Sequence, residues 1–222
     1  MKIDDDKASL PIGVGFLCWH LESPGTQAEK ILNLALENNV QAVWFAFGRN
    51  IPRWVQLVRD YDRQNGKNTL IFAQINTVAG DRRLECRRPG RARFNRLRQL
   101  RNDSILEYVG IESGGHGHGS AAPLLTLVPE VLSVIPPAGV LLLAGGLSSG
   151  AHVASLLALG ASGVVLGTRF LLSPESLYTD AQREALLRAK NNSTVRTMAF
   201  DHARGSLDWP EGIDGRALRN GE

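Results

Sequence analysis

The segment GVLLLAGGLSSGAHVASLLALGASGVVLGTRFL, residues 139–171, decides the fold class of this chain. Its apolar runs at 139–145 and 163–167 predict two strands, and residues 149–159 between them predict a helix that ends at Gly160. Strands that are apolar on both faces and alternate with amphipathic helices are typical of parallel βα units. The segment therefore predicts an α/β protein.

Similar units precede this segment along the chain. Apolar runs begin at residues 12, 42, 69, 105, 139 and 163, which predicts six strands spaced by 24 to 36 residues. Amphipathic stripes predict helices between the strands, and Ser173-Pro174-Glu175 is expected to open the last helix. The repeat fits a TIM-type (β/α) barrel or a doubly wound sheet, although a complete barrel needs eight strands.

The composition is that of an ordinary globular protein. Of 222 residues, 43% are apolar and 21% are charged, and Cys18 and Cys86 are the two cysteines, which excludes a disulfide scaffold. No apolar run approaches the ~20 residues of a membrane span. The opening MKIDDDK lacks the apolar centre of a signal peptide. We therefore expect a cytoplasmic location and no membrane partner.

Two glycine motifs follow the last two predicted strands. They are AGGLSSG at 144–150 and LGTRF at 166–170. Glycines let backbone N–H groups approach an anion, and the start of a helix adds the positive end of its dipole. Tight turns alone would also explain either motif. Two such motifs one βα unit apart favour a phosphate site of the kind that barrels build late in the chain.

A third glycine motif, ESGGHGHG at 112–119, follows the fourth predicted strand. In a parallel barrel it would lie on the same rim as the other two motifs. A histidine there can exchange a proton near neutral pH, so His116 is a candidate catalytic base. An ordered loop and a metal-binding loop are the alternatives. His116 and His118 alone lack the third ligand of a catalytic zinc site, so no metal is predicted.

Together these motifs resemble the nitronate monooxygenase (2-nitropropane dioxygenase-like) FMN flavoproteins. That family has a GGH-G loop, an AGGI turn, a helix that ends in ALGA and a strand that ends in GTRF. IGVGF (12–16) and QINTV (74–78) fit its earlier strands. The resemblance covers residues 11–78 and 105–176. FMN barrels of the enoyl-reductase type share many of these features.

The resemblance implies a TIM-type barrel that holds FMN without a covalent bond. It also implies oxidation of alkyl nitronates or nitroalkanes by O2, giving a carbonyl compound and nitrite. His116 would deprotonate the nitroalkane or orient the nitronate. The FMN phosphate would rest on the N–H groups of Gly145, Gly146, Gly167 and Thr168. The flavin ring would lie against Gln74, Gly114 and Gly115.

The chain departs from the family pattern at its start. The family begins with a strand that bears a QAPM-like flavin loop, whereas MKIDDDKASL leads directly into what resembles the third strand. We therefore expect the first two βα units to be missing, a single partial barrel at 11–190 and a C-terminal arm at 191–222. A catalytically impaired truncated relative is one alternative function. An FMN- and NAD(P)H-dependent enoyl-reductase-like enzyme is another.

The segment 81–101 is a second departure. It holds nine arginines against Asp81 and Glu85, a net charge of +7, so the rest of the chain carries −4 in a total of +3. A solvated helix or a nucleic-acid or lipid patch would account for it. Because the flanking sequence resembles the family, we favour a shifted reading frame or a retained intron. A nucleic-acid partner is therefore not expected.

Overall fold

A computed structural model of the chain describes residues 10–76, 104–133, 135 and 139–219. The Arg-rich segment 81–101 lies outside these residues. The described residues divide into two compact units. The first comprises 10–75, 104–107 and 139–140, and the second comprises 76, 108–133, 135 and 141–219.

The first unit repeats strand and helix along the chain. Its elements are β1 (Leu10–Leu17), α1 (Cys18–Leu21), α2 (Ala28–Glu37), β2 (Val40–Ala46), α3 (Ile51–Asn65) and β3 (Leu70–Ile75). β2 pairs in parallel with both β1 and β3. Its apolar residues Val43 and Phe45 are fully buried, as is Val58 of α3. β2 is therefore largely buried, as expected for a strand between two parallel neighbours, whereas most residues of β1 are exposed, Ile12 to 53%.

The second unit begins within β4 (Ile105–Val109) and carries the glycine motifs. The elements that follow are β5 (Gly115–His118), α4 (Leu124–Leu132), β6 (Leu141–Ala144), α5 (Gly150–Ala158), β7 (Gly163–Val165), a 3-10 helix (Thr168–Leu172), α6 (Asp180–Arg188), β8 (Thr194–Thr197), α7 (Ala199–Arg204) and β9 (Ile213–Leu218). β6 and β7 are parallel, with Ala144 opposite Val165. β5, β9 and β8 form a separate antiparallel sheet in that order.

The six strands predicted from apolar runs are confirmed. They are β1, β2, β3, β4, β6 and β7, and they follow one another in the sheet in the order of the chain. The α/β class with a parallel sheet is therefore confirmed. These six parallel-sheet strands belong to the kind of βα repeat that builds TIM-type barrels, of which a complete one has eight strands. Within the described ranges, no helix is both long enough and apolar enough to cross a membrane.

The predicted start of the last helix was wrong. α6 begins at Asp180, whereas Ser173 caps the end of the 3-10 helix. The cause is a stronger start signal farther along the chain. The Thr179 side chain accepts from the Gln182 N–H, and the Gln182 side chain accepts from the Thr179 N–H. This reciprocal capping box satisfies two helix-end N–H groups at once.

The C-terminal residues are more than a polar arm. β8, α7 and β9 all lie within the predicted arm 191–222, and β9 pairs with β5 so that Gly215 lies opposite His116. The Gly-His motif, expected to be a loop, is therefore a strand held by a C-terminal partner. The boundary at residue 190 stays a prediction.

Candidate active site

His116 lies on β5 with its imidazole partly exposed. Its Nε2 lies 2.9 Å from Oδ1 of Asp201, which is in α7. The His116 side chain is 24% exposed, whereas that of Asp201 is 2% exposed. A buried carboxylate and a more accessible imidazole are thus joined by a direct hydrogen bond.

Asp201 is held by the turn that ends α7. Gly205 has the left-handed conformation, with φ at +69°, so the chain reverses and Ser206 faces back toward the helix. The Ser206 Oγ donates to Asp201 Oδ1 at 3.0 Å. Burial alone raises the pKa of Asp201, but hydrogen bonds from His116 and Ser206 outweigh burial and lower it below its ordinary value. The carboxylate is therefore ionised at neutral pH.

Trp209 covers one face of the His116 ring. The two ring centroids are 3.8 Å apart and the planes differ by 13°, which is a stacked arrangement. Trp209 follows α7 in a stretch without regular structure and is half-buried. Hydrogen bonding at Nε2 and stacking on the ring face restrict the imidazole in two different directions.

Arg196 fastens the loop before β5 to the C-terminal strands. Its Nε donates to Asp214 Oδ1 at 2.6 Å, and its Nη1 donates to the Ser113 carbonyl at 3.2 Å. The side chain is 8% exposed. Arg216 adds a second tie, because its Nη2 donates to the Ile111 carbonyl at 3.2 Å. The rigid guanidinium forks therefore hold the His116 strand in register.

Close approaches at three glycines bring the glycine motifs together. A Cβ on Gly114 would lie 2.7 Å from Thr168 Oγ1, so the His116 loop touches the start of the 3-10 helix. Gly146 has φ at +67°, and a Cβ there would lie 2.9 Å from Glu112 Cβ. A Cβ on Gly145 would lie 3.2 Å from the Gly110 backbone. Larger residues would separate these loops.

The predicted phosphate-binding groups are available for a ligand. Among the described residues, no protein acceptor bonds the backbone N–H groups of Gly145, Gly146, Gly167 and Thr168. These groups follow two adjacent parallel strands, β6 and β7. Backbone N–H groups without protein partners at strand ends form a cradle for an anion. The chemistry of this donor set fits a phosphate.

The glycines of the cradle differ in backbone conformation and in the space around them. Gly145 has φ at +124°, whereas Gly167 has φ at −103°, and a Cβ on Gly167 would meet no atom within 4 Å. Gly167 is therefore not needed for its backbone conformation, and open space surrounds it. A Cβ on Gly115, where φ is +73°, would also meet no atom within 4 Å. A flat ligand could approach the backbone at either Gly115 or Gly167.

The predicted site residues are divided between the two units. Gln74 is half-buried near the end of β3, in the first unit, so its role near a flavin stays a prediction. In the described part of the chain, no group of three or more His, Cys, Asp or Glu residues is arranged to hold a metal ion.

The sequence did not reveal Asp201, Ser206 or Trp209 as site residues. All three lie in a polar C-terminal stretch that contains no helical or strand period strong enough to place it. The one available signal was Trp209, followed by Pro210 in an otherwise polar tail. A large aromatic residue in such a stretch indicates a contact with something apolar.

Comparisons with known proteins agree with the motifs. The sequence profile of the nitronate monooxygenase family matches residues 18–208. Nitronate monooxygenase npaC of Metarhizium robertsii is 31% identical over 219 residues, which are 95% of this chain and 56% of that protein. A nitronate monooxygenase of Neurospora crassa is 28% identical over 226 residues, covering 94% of this chain and 55% of its own length. The chain spans about half the length of these curated relatives.

Solved structures show a similar fold. FabK from Thermotoga maritima is 26% identical with a TM-score of 0.67, and the match covers 97% of this chain and 56% of FabK. A nitroalkane oxidase from Streptomyces ansochromogenes has a TM-score of 0.66 at 22% identity, covering 95% of this chain and 62% of the oxidase. The second likeness concerns the fold alone.

Proposed function

Because this chain belongs to the nitronate monooxygenase family, we propose that it is a flavin-dependent oxidoreductase acting on alkyl nitronates or nitroalkanes. The products would be a carbonyl compound and nitrite, with O2 as the oxidant. The observation that carries this proposal is the contact between Gly114 and Thr168. It joins the loop of a candidate base, His116, to a cradle for a phosphate.

FMN is the cofactor that this cradle would hold. Its phosphate would accept hydrogen bonds from the N–H groups of Gly145, Gly146, Gly167 and Thr168. Gly114, Gly115 and Gln74 are proposed to lie along the flavin ring. When bound, the flavin supplies the electron transfer, and the protein supplies position, a base and electrostatics.

His116 is proposed to accept the proton from the carbon beside the nitro group. Imidazole is the side chain most often used as a general base, so the residue type suits this role. A preformed nitronate has already lost this proton, so His116 would only orient it. The two substrates therefore separate proton removal from the rest of the reaction.

A second candidate is an FMN- and NAD(P)H-dependent reductase of the enoyl type. The likeness to FabK favours it, since that likeness is similar in extent to the one with the nitroalkane oxidase. Consumption of NAD(P)H without any nitronate would support this second function. A third candidate is a chain that retains the family fold but turns over neither substrate class.

The experiment compares nitrite release from a neutral nitroalkane and from its preformed nitronate, with FMN added. We expect His116→Asn to lower turnover of the nitroalkane by ~10²–10⁴-fold and to affect the nitronate much less. His202→Asn is the matched control, because His202 is an exposed histidine in α7. Equal losses on both substrates would mean that His116 is not the base. Absence of nitrite from the unaltered protein would overturn the proposed function.

A further inference from the structure

The proposed base leaves open which ring nitrogen accepts the proton. His116 has two nitrogens, and in the neutral ring one carries a hydrogen while the other has a free lone pair. Nε2 lies 2.9 Å from Asp201 Oδ1. Nδ1 forms no hydrogen bond with any group in the described part of the chain. The two nitrogens therefore have different surroundings.

We propose that Asp201 is a positioning residue that holds His116 with Nε2 protonated, so that Nδ1 accepts the proton of the substrate. This inference rests on the proposed function. An ionised carboxylate can only accept a hydrogen bond, so the nitrogen facing it must carry the hydrogen. The neutral imidazole then has its lone pair at Nδ1. Without the hydrogen bond to Asp201, the Nε2-protonated tautomer would lose this stabilisation relative to the Nδ1-protonated one.

The surroundings of Asp201 suit this role. Oδ1 accepts from both Ser206 Oγ, at 3.0 Å, and His116. Oδ2 is buried and has no hydrogen-bond partner among the described residues. A carboxylate that is removed from water and restrained by a neighbouring hydroxyl has little freedom to turn away from the imidazole. It can therefore orient the ring more effectively than a solvated carboxylate.

Two contacts together set the position of the ring. Asp201 restrains it within its plane through Nε2, and Trp209 restrains its face by stacking at 3.8 Å. Nδ1 lies on the ring edge that neither contact uses. When Nδ1 takes a proton, the resulting imidazolium would keep its hydrogen bond to the ionised carboxylate. The same pair would thus hold both states of the base.

Two arginines near β5 already form hydrogen bonds with other groups. Arg196 is bonded to Asp214, and Arg216 donates to the Ile111 carbonyl. Arg204 lies in α7 beside Asp201 and helps to lower the pKa of its carboxyl. Asp201 is therefore the carboxylate in direct contact with His116 within the described residues. Among the residues that the structure describes, no other group forms a hydrogen bond with Nε2.

The first test measures the tautomer of His116 in the unaltered protein. The chain has five histidines, so 15N-labelled imidazoles can be resolved and assigned by NMR, with His116→Asn identifying the signal. We expect the neutral ring to carry its hydrogen on Nε2. A hydrogen on Nδ1 would overturn the proposal. This measurement needs neither flavin nor turnover, so its outcome is independent of the proposed activity.

The second test compares Asp201→Asn with Asp208→Asn, an exposed acidic residue in the same C-terminal stretch. In Asp201→Asn we expect the Nδ1-protonated tautomer to become populated and nitroalkane turnover to fall ~10²–10⁴-fold, with a smaller effect on the nitronate. Asp208→Asn should change neither. If Asp201→Asn keeps the original tautomer and turnover, Asp201 does not position the base. If the unaltered protein oxidises neither substrate, only the proposed function fails.

Discussion

Trp209 stacks on His116 with ring centroids 3.8 Å apart, although the two residues lie on different parts of the second unit's chain. His116 belongs to a glycine-rich strand, and Trp209 belongs to the connection between α7 and β9. That connection brings the indole over one face of the imidazole. The C-terminal residues therefore cover one side of the candidate site and also supply two strands, β8 and β9, of the antiparallel sheet.

We expect Trp209→Leu to destabilise the protein more than Trp209→Phe does. Both substitutions remove the indole N–H and keep an apolar side chain, but only phenylalanine can still stack on His116. An aromatic pair contributes about 0.5–1.5 kcal/mol beyond its buried area. The difference in free energy of unfolding, measured in urea, should lie in that range. Equal stabilities would show that the stacking contributes nothing beyond apolar contact.

Alanine substitutions at two glycines of the cradle should differ in their effect on stability. Gly145→Ala should lower the free energy of unfolding by about 1–3 kcal/mol, because φ is +124° and the Cβ would lie 3.2 Å from the Gly110 backbone. Gly167→Ala should change it by less than about 0.5 kcal/mol, because Gly167 has open space around it. Chemical denaturation of the two variants measures both values.

A larger substitution at Gly167 can distinguish an effect on ligand binding from an effect on folding. Gly167→Val should leave the fold intact but weaken FMN binding, since the larger side chain would stand beside the N–H groups of the cradle. Fluorescence titration of FMN gives the affinity. Binding equal to that of the unaltered protein would place the phosphate elsewhere.

Glu107 predicts a pH dependence of stability that is separate from the active site. Burial raises its pKa from the ordinary 4.5 to about 7, and Oε2 has no hydrogen-bond partner within the described residues. Between these pH values the unfolded chain has lost this proton and the folded chain still holds it. The contribution of Glu107 is therefore fully present below pH 4.5 and is lost as the pH rises through about 7.

Glu107→Gln isolates this effect, because glutamine stays neutral at every pH. From pH 4.5 to about 7, the variant should gain stability relative to the unaltered protein by about 1.4 kcal/mol per pH unit. Above that range the difference should level off. Urea unfolding at a series of pH values provides the comparison. Parallel stability curves for the two proteins would show that the pKa of Glu107 is not raised by folding.

Much of the fold could be predicted because its signals are local. The run at 139–145 predicted a strand, and β6 occupies Leu141–Ala144 inside it. Gly160 was expected to end the helix at 149–159, and α5 does end at Ala158, with φ of Gly160 at +108°. The start of α6 was misplaced because two start signals compete within seven residues. Sequence rules identify both start signals, but they do not say which of the two the folded chain uses.

The sequence by itself determined the α/β repeat, the glycine turns and the candidate base, because each depends on residues close together in the chain. Strands, helices and tight turns can be predicted from the spacing of apolar residues and the positions of glycines within a short segment. Only the tertiary structure decided that Asp201 faces His116, a contact across 85 residues. Such a contact depends on how β5 and β9 align and on the turn at Gly205, which brings Ser206 back to the carboxylate. A side-chain hydrogen bond between distant segments leaves no period in the sequence, so its partners become visible only when the chain is folded.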